Sequence, residues 1–144
     1  MSDWSLRDIS EKVREIDFAM LLTHTEGGDI AGRPMSNNRD VEYDGDSFFF
    51  TLENTRLVDN IERDSKVALS YAGSKGLLGQ PPVFICMQGE AELIRDRAEF
   101  EAHWVQDLER WFQNGVDTRG LVLIKVRATR IHYWDGENEG EVVV

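Results

Sequence analysis

Two turns rich in glycine and aspartate divide the first third of the chain into segments that have the character of β-strands. The turns lie at Gly27-Gly28-Asp29 and Asp44-Gly45-Asp46. Glycine and aspartate supply the positive backbone angles that hairpin turns require. The sequence therefore predicts an antiparallel meander of three strands, over Phe18–Thr25, Ile30–Tyr43 and Ser47–Leu52.

The rest of the chain alternates between helical spacing and strand-like runs. Apolar residues spaced by three and four predict three helices: Leu6–Ile16, a short helix that begins near Thr55, and the long segment Arg95–Gly115. Three further strands are predicted at Lys66–Tyr71, Val83–Ile94 and Gly120–Gly136. The predicted fold class is α+β, mainly β, with a closed or nearly closed six-stranded antiparallel barrel and peripheral helices.

The length and charge of the chain limit what it can be. Its 144 residues suit one domain, 1–144, in which the acidic residues 137–144 are expected to form a mobile tail. Sixteen Lys and Arg against 27 Asp and Glu give a net charge of -11, which predicts no nucleic-acid and no membrane partner. One cysteine and the absence of a signal-peptide pattern lead us to expect a cytoplasmic protein.

The usual residues of metal binding and nucleophilic catalysis do not cluster. His24, His103 and His132 lie in different predicted elements, and Cys86 stands alone within a strand. No serine lies in a GxSxG elbow. We therefore predict no metal site and identify no catalytic residue.

The segment "FFFTLENTRLVDN", Phe48 to Asn60, places polar side chains where a strand gives way to a helix. Thr51, Thr55 and Arg56 lie close together there, beside the free amides of the first helical turn, which is an arrangement that suits a phosphate. An ordinary helix N-cap by Asn54 or Thr55 explains the same residues equally well. Spacing alone leaves both interpretations open.

Several segments together resemble a known family. "GRPMS", "EYDGDSFFFTLENTRLVDNIERDSKVALSYA", "MQGEAEL", "ERWF" and "VLIKVRATRIHYWD" occur in this order. They are similar to the general stress protein branch of the pyridoxamine 5'-phosphate oxidase-like FMN-binding split barrels, over about Leu6 to Trp134. The resemblance implies a homodimer with two flavin sites at the subunit interface.

The resemblance also implies a set of cofactor-binding residues. The β-strand that would follow the edge of the isoalloxazine ring, through its backbone, comprises Arg33, Pro34, Met35, Ser36 and Asn37. Thr51, Thr55 and Arg56 would hold the FMN phosphate, and Phe50 and Leu52 would form part of the wall. The partner chain would contribute Trp111 and Phe112 from the end of the long helix. Gln88 is a further candidate for a polar contact with the ring.

The chain departs from the family pattern at two places. Leu57 occupies the position where the family usually has a lysine, so one of two phosphate cations is missing. Trp104, one or two turns before Trp111, is not one of these departures, and core packing is the more common role for such a residue. The acidic end "WDGENEGEVVV" replaces the basic residues that true pyridoxamine 5'-phosphate oxidases use for substrate, so that activity is not expected.

The resemblance leaves more than one function open. The first is an oxidoreductase that uses FMN, with FAD or a deazaflavin as alternatives, and acts on an unidentified small molecule with a nicotinamide compound as donor. The second is a stress-related protein that binds flavin without turnover. The third is an interaction domain that has lost flavin, since Leu57 replaces the lysine. Heme is the least favoured ligand, because only the three histidines offer an axial ligand.

Overall fold

The computed structural model describes residues 3–37, 39 and 41–144. Within these residues there are three α-helices: α1 Leu6–Val13, α2 Arg56–Arg63 and α3 Arg97–His103. The same part of the chain contains seven strands: β1 Phe18–His24, β2 Ile30–Ser36, β3 Asp46–Leu52, β4 Lys66–Ala72, β5 Val83–Ile94, β6 Leu121–Asp135 and β7 Asn138–Val143. The α+β, mainly β, class is thus confirmed, with one strand more than predicted.

All seven strands belong to one antiparallel sheet, in the order β2-β1-β4-β5-β6-β3, with β7 on the free part of β6. The prediction of a three-stranded meander was wrong, because β3 pairs with β6 rather than with β2. Among the described residues no ladder joins β2 to β3, so the sheet is not closed. Its two terminal strands each leave one edge of backbone groups free, and this opening positions the candidate site.

The second strand is shorter than predicted. It ends at Ser36, which is paired with Phe18, the first residue of β1. The next residue, Asn37, turns its side-chain amide to the end of α1 and donates hydrogen bonds to the carbonyl oxygens of Val13 and Ile16, at 2.9 and 2.8 Å. Part of the predicted extension, at positions 38 and 40, lies outside the described residues.

The carboxyl-terminal residues form a strand where we expected a mobile tail. Gly136, with φ 63°, makes a tight turn between β6 and β7, and the Asp135-Gly136 pair is itself a hairpin signal. Along β7 the carboxylates of Glu139 and Glu141 lie on one face. Glu139 is 2.6 Å from His132 and Glu141 is 3.0 Å from Arg130, both on β6. The acidic composition therefore reflects one face of a paired strand rather than disorder.

The long helix predicted from Arg95 to Gly115 is broken. It stops at His103, because Trp104 and Val105 adopt extended backbone, with ψ of 136° and 148°. Short 3-10 helices follow at Gln106–Arg110 and Gly115–Asp117. The Trp104 ring packs edge-on against an aromatic ring of β3, with 5.0 Å between centroids, and this tertiary contact outweighs the helical propensity of the segment.

Helix α2 packs on the sheet through the apolar side of its two turns. Leu57, Val58 and Ile61 are buried, and the helix contacts β1 and β5. Asn60 is buried beside them and donates a 3.1 Å hydrogen bond to the hydroxyl oxygen of Thr23. Helix α2 is thereby fixed against β1.

Candidate functional site

A cavity of about 550 Å³ lies between the free edges of β2 and β3. This volume falls within the range of small-molecule sites. Its lining residues are Phe18, Arg33, Pro34, Met35, Ser36, Phe49, Phe50, Thr51, Leu52, Thr55, Arg56, Leu57, Leu108, Trp111 and Phe112. We call this space the edge cavity. Backbone groups of both strands that have no partner in the sheet are available there to hydrogen-bond a ligand.

The edge cavity brings together every residue that the sequence predicted for a cofactor site except Asn37 and Gln88. Asn37 is engaged in capping α1 and lines a neighbouring cavity. Gln88 is exposed on β5, and its backbone is paired with Ala68 of β4. Gln88 therefore lies on the outer face of the sheet, away from the edge cavity of its own chain.

The start of α2 forms one end of the edge cavity. The hydroxyl oxygen of Thr55 accepts a 3.3 Å hydrogen bond from the Val58 amide, and the same hydroxyl donates to the Leu52 carbonyl oxygen at 2.9 Å. Thr55 is therefore the N-cap, which was one of the two predicted roles. The amides of Arg56 and Leu57 have no acceptor among the described residues, so they remain available to an anion.

The charge of the edge cavity differs from that of the whole chain. Its lining contains two arginines, Arg33 and Arg56, and no carboxylate. Within the described residues neither arginine forms a salt bridge. In a chain with a net charge of -11, the cavity is consequently a local cationic site that favours an anionic group.

Arg33 is held in place by a hydrogen-bond network. Its guanidinium donates to the hydroxyl oxygen of Thr23 at 2.7 Å, which also accepts from Asn60. Partial burial lowers the pKa of Arg33, although an arginine keeps its charge at neutral pH. The network ties β2 to β1 and α2, so the wall and the anion-binding end of the cavity are fixed relative to each other.

Leu57 contributes an apolar surface to the edge cavity. Its side chain is 6% exposed and packs in the main core. The nearest cations that follow in the sequence, Arg63 and Lys66, do not line the cavity. Arg63 is the last residue of α2, about 10 Å from its first turn at 1.5 Å per residue. Arg56 is therefore the cation at the start of α2.

The resemblance assigned an aromatic wall to the partner chain, and that contribution stays a prediction. Trp111 and Phe112 line the edge cavity of their own chain, because the broken helix folds back toward β3. The Trp111 side chain is 59% exposed at the cavity. Trp104 instead packs against Phe50 and Phe112, with 5.0 and 6.0 Å between ring centroids, as a core residue does.

Sequence reasoning missed some of the residues that build the site. Phe18, Phe49 and Leu108 complete the lining, and Thr23 and Asn60 support Arg33 from behind. Of these residues only Phe49 could have been found from the sequence, since it lies within the segment from Phe48 to Asn60 that predicted the site. The other contacts join elements that are distant in the sequence.

Other kinds of site receive little support from the described residues. They contain no group of three or more metal-ligating side chains that could hold an ion, and no histidine or cysteine lines the edge cavity. In the same part of the chain, the helices are all too short and too polar to cross a membrane.

A family model described as "Pyridoxamine 5'-phosphate oxidase like" matches residues 5–144. A search of the curated proteins finds no significant match.

Solved structures with the same fold include two described as related to, or as, general stress protein 26. The first, from Clostridium acetobutylicum, is 20% identical with a TM-score of 0.81, and the match covers 96% of this chain and 94% of that one. The second, from Bacillus anthracis, is 18% identical with a TM-score of 0.74 and coverages of 96% and 98%. A heme binding protein from Mycobacterium smegmatis is 14% identical, with a TM-score of 0.73 and coverages of 99% and 60%.

Proposed function

Because the chain belongs to the pyridoxamine 5'-phosphate oxidase-like family, we propose that it is a homodimeric split-barrel protein that binds FMN in the edge cavity. We further propose that it acts as a flavin-dependent oxidoreductase on a small molecule. The observation that carries the proposal is the lining of the edge cavity, with two arginines and no carboxylate in a strongly acidic chain.

The chain's own residues suit the two halves of FMN. The phosphate takes the start of α2, where Arg56 and the free amides of the first turn supply donors and positive charge. The ring lies along the free edge of β2, from Arg33 to Ser36, whose backbone groups offer hydrogen bonds. Phe50, Leu52 and the aromatic side chains Trp111 and Phe112 cover the ring by apolar contact.

FAD is the first alternative, since the edge cavity opens to solvent beside the exposed Trp111 and leaves a path for an added nucleotide. A deazaflavin is the second and less favoured alternative. A bound flavin supplies hydride transfer, while the protein supplies position and polarity. Such a reaction therefore needs neither a nucleophile nor a metal ion from the protein.

A phosphorylated substrate such as that of true pyridoxamine 5'-phosphate oxidases is not proposed. At the carboxyl-terminal hairpin, Arg130 and His132 are paired with Glu141 and Glu139, at 3.0 and 2.6 Å. These carboxylates occupy the donors that a substrate phosphate would need. The substrate is accordingly a compound without such a group.

The proposed dimer uses the outer face of the sheet. Exposed apolar side chains lie on this face: Met20, Ile30, Phe84 and Trp134, which are 41%, 70%, 45% and 36% exposed. Phe84 and Trp134 are paired across β5 and β6. Large exposed apolar side chains on one face of a sheet are typical of an interface, and Gln88 lies on the same face, where the partner's ring would be within its reach.

The test is a titration of the purified protein with FMN, followed by tryptophan and flavin fluorescence. We expect saturable quenching at one flavin per chain, because Trp111 lines the cavity. No quenching at any FMN concentration would contradict flavin binding and favour the interaction domain. Anaerobic addition of NADPH or NADH to the loaded protein then separates the oxidoreductase, whose flavin bleaches, from a flavin-binding protein without turnover.

A further inference from the structure

The guanidinium of Arg95 joins helix α2 and the turn before it to the middle of the sheet. Arg95 directly follows β5, whose last residue, Ile94, is paired with Leu123 of β6. Its Nε and Nη2 atoms donate to the two carboxylate oxygens of Glu53, at 2.7 and 3.0 Å, and Nη2 also donates to Glu62 at 2.9 Å. Glu53 lies just before α2, and Glu62 lies in its last turn. One side chain on the sheet thus holds the helix at both ends.

This contact has the geometry of a strong ion pair. Single ion pairs at a surface contribute little, whereas bidentate arginine–carboxylate pairs and networks of several charges keep a defined geometry. Arg95 has both features, since it holds Glu53 by two hydrogen bonds and Glu62 by a third. Hydrogen bonding to Arg95 lowers the pKa of Glu53, so the carboxylate is charged at neutral pH. We call these three residues the Arg95 clamp.

The turn that begins at Glu53 has an unfavourable backbone conformation. Within the described residues, Asn54 is the only residue other than glycine with a positive φ, of 63°, and such a conformation persists only where its surroundings impose it. The Glu53 amide donates to the Gly120 carbonyl oxygen at 2.7 Å. The Thr55 hydroxyl donates to the Leu52 carbonyl oxygen at 2.9 Å. These two hydrogen bonds and the Arg95 clamp together hold the turn.

The same turn sets the direction in which α2 begins. The chain leaves it at Thr55, and the next two residues, Arg56 and Leu57, line the edge cavity. Their amides have no acceptor among the described residues. Hydrogen bonds weaken steeply as they depart from linearity, so a small rotation of the first helical turn moves these donors away from an anion. The position of the donors therefore depends on the turn, and the turn depends on Arg95.

Arg95 acts from outside the edge cavity. Neither Arg95 nor Glu53 is among the residues that line it, so an effect of Arg95 on a ligand there passes through the turn. The Glu53 carboxylate lies close to the start of α2 in the sequence, where its charge opposes the binding of an anion. The ion pair with Arg95 offsets this charge.

From this geometry we propose that Arg95 is a positioning residue for the phosphate site. Through Glu53 it fixes the turn that directs the first amides of α2 and the Arg56 side chain at the phosphate. This role rests on the proposed function, because the anion in question is the phosphate of FMN. Loss of Arg95 should consequently change the preference between flavins and not only the stability of the protein.

The experiment measures FMN and riboflavin affinities of wild type, Arg95→Met and the control Arg97→Met by fluorescence titration. Arg97 is a matched control, because its ion pairs are with Glu101 and Asp117, at 3.1 and 2.6 Å, which both lie outside α2. Arg95→Met should weaken FMN by about three- to tenfold and change riboflavin, which lacks the phosphate, by less than about twofold. Arg97→Met should keep the wild-type ratio of the two affinities.

A double variant separates positioning from charge. Arg95→Met combined with Glu53→Gln removes both charges of the pair and leaves the turn without its clamp. We expect FMN to bind this variant as weakly as it binds Arg95→Met. Recovery of the wild-type FMN affinity would mean that Arg95 only neutralises Glu53, and it would overturn the proposal.

The Arg95 clamp is also tested without a ligand. In isotope-labelled protein, the amide resonances of Asn54, Thr55 and Arg56 should shift in Arg95→Met and stay in place in Arg97→Met. Unchanged resonances in Arg95→Met, or equal losses of FMN and riboflavin affinity, would overturn the positioning role. A wild type that binds neither flavin would contradict the proposed function instead, and the resonances would still decide whether Arg95 fixes the turn.

Discussion

The guanidinium of Arg33 and the hydroxyl oxygen of Thr23 are joined by a 2.7 Å hydrogen bond that crosses from β2 to β1 beneath the edge cavity. Because Thr23 also accepts from Asn60 of α2, one hydroxyl orders three of the elements that surround the site. Arg33 is thus both part of the wall and a structural link. This combination explains how a strand at the open edge of the sheet keeps a defined position.

The first prediction concerns this hydroxyl. Thr23→Val removes the acceptor and leaves the buried Asn60 amide unsatisfied, so we expect the free energy of unfolding to fall by about 1–3 kcal/mol. Urea unfolding measures the change. Thr23→Ser keeps the acceptor and should lose only the contribution of one methyl group, about 1 kcal/mol. A Val variant as stable as the Ser variant would contradict a structural role for the network.

The two tryptophans near the site should respond differently to truncation. Trp111→Ala removes an exposed aromatic wall, so FMN and riboflavin affinities should both fall, by about two- to tenfold, with stability unchanged. Trp104→Ala removes packing against Phe50 and Phe112 and should lower the free energy of unfolding by about 2–3 kcal/mol. Fluorescence titration and urea unfolding of both variants check this contrast. If Trp111→Ala lowered the free energy of unfolding and Trp104→Ala weakened only flavin binding, the roles assigned to the two residues would be wrong.

The dimer proposal makes a prediction for the outer sheet face. Phe84→Glu places a charge beside Trp134 on this face, and we expect it to convert the dimer to monomer in sedimentation experiments, since an unpaired charge is poorly tolerated in an interface. Leu77→Glu is the control, because Leu77 is fully exposed in the loop between β4 and β5. If Leu77→Glu dissociates the dimer and Phe84→Glu does not, the interface lies elsewhere.

The raised pKa of Tyr71 predicts a loss of stability at high pH. The folded chain keeps this proton up to a pKa of about 12, whereas the ordinary tyrosine value is 10.0, so the unfolded chain binds fewer protons in that interval. The free energy of unfolding therefore falls as the pH rises from 10 to 12, by about 2–3 kcal/mol from this residue. Tyr71→Phe should show a smaller alkaline loss in urea unfolding. An identical pH profile in wild type and variant would contradict the assignment.

Much of the fold could be predicted because its signals are local. The turn at Gly28, with φ 84°, and the alternation in β1 and β5 gave the strands nearly as observed. The pairing of β3 with β6 could not be predicted, because it joins residues about 75 positions apart, such as Phe49 and Ile124, and local patterns carry no information about partner choice.

The residues of the edge cavity were predicted from resemblance more than from spacing. Thr55 shows why. It is both the N-cap of α2 and part of the edge-cavity lining, and spacing in the sequence could not distinguish these two roles. The own-chain position of Trp111 was missed, because the helical period of Arg95–Gly115 concealed the break at Trp104.

The central claim is that FMN lies in the edge cavity with its phosphate at the start of α2. The most direct measurement compares FMN with riboflavin, which lacks the phosphate, on wild type, Arg56→Ala and the control Arg63→Ala at the other end of α2. We predict that wild type binds FMN more tightly than riboflavin. Arg56→Ala should weaken FMN by about ten- to a hundredfold, as for a charge-assisted contact, while riboflavin binding and the control remain unchanged. Equal losses for both ligands in Arg56→Ala, or no preference for FMN in wild type, would contradict the account.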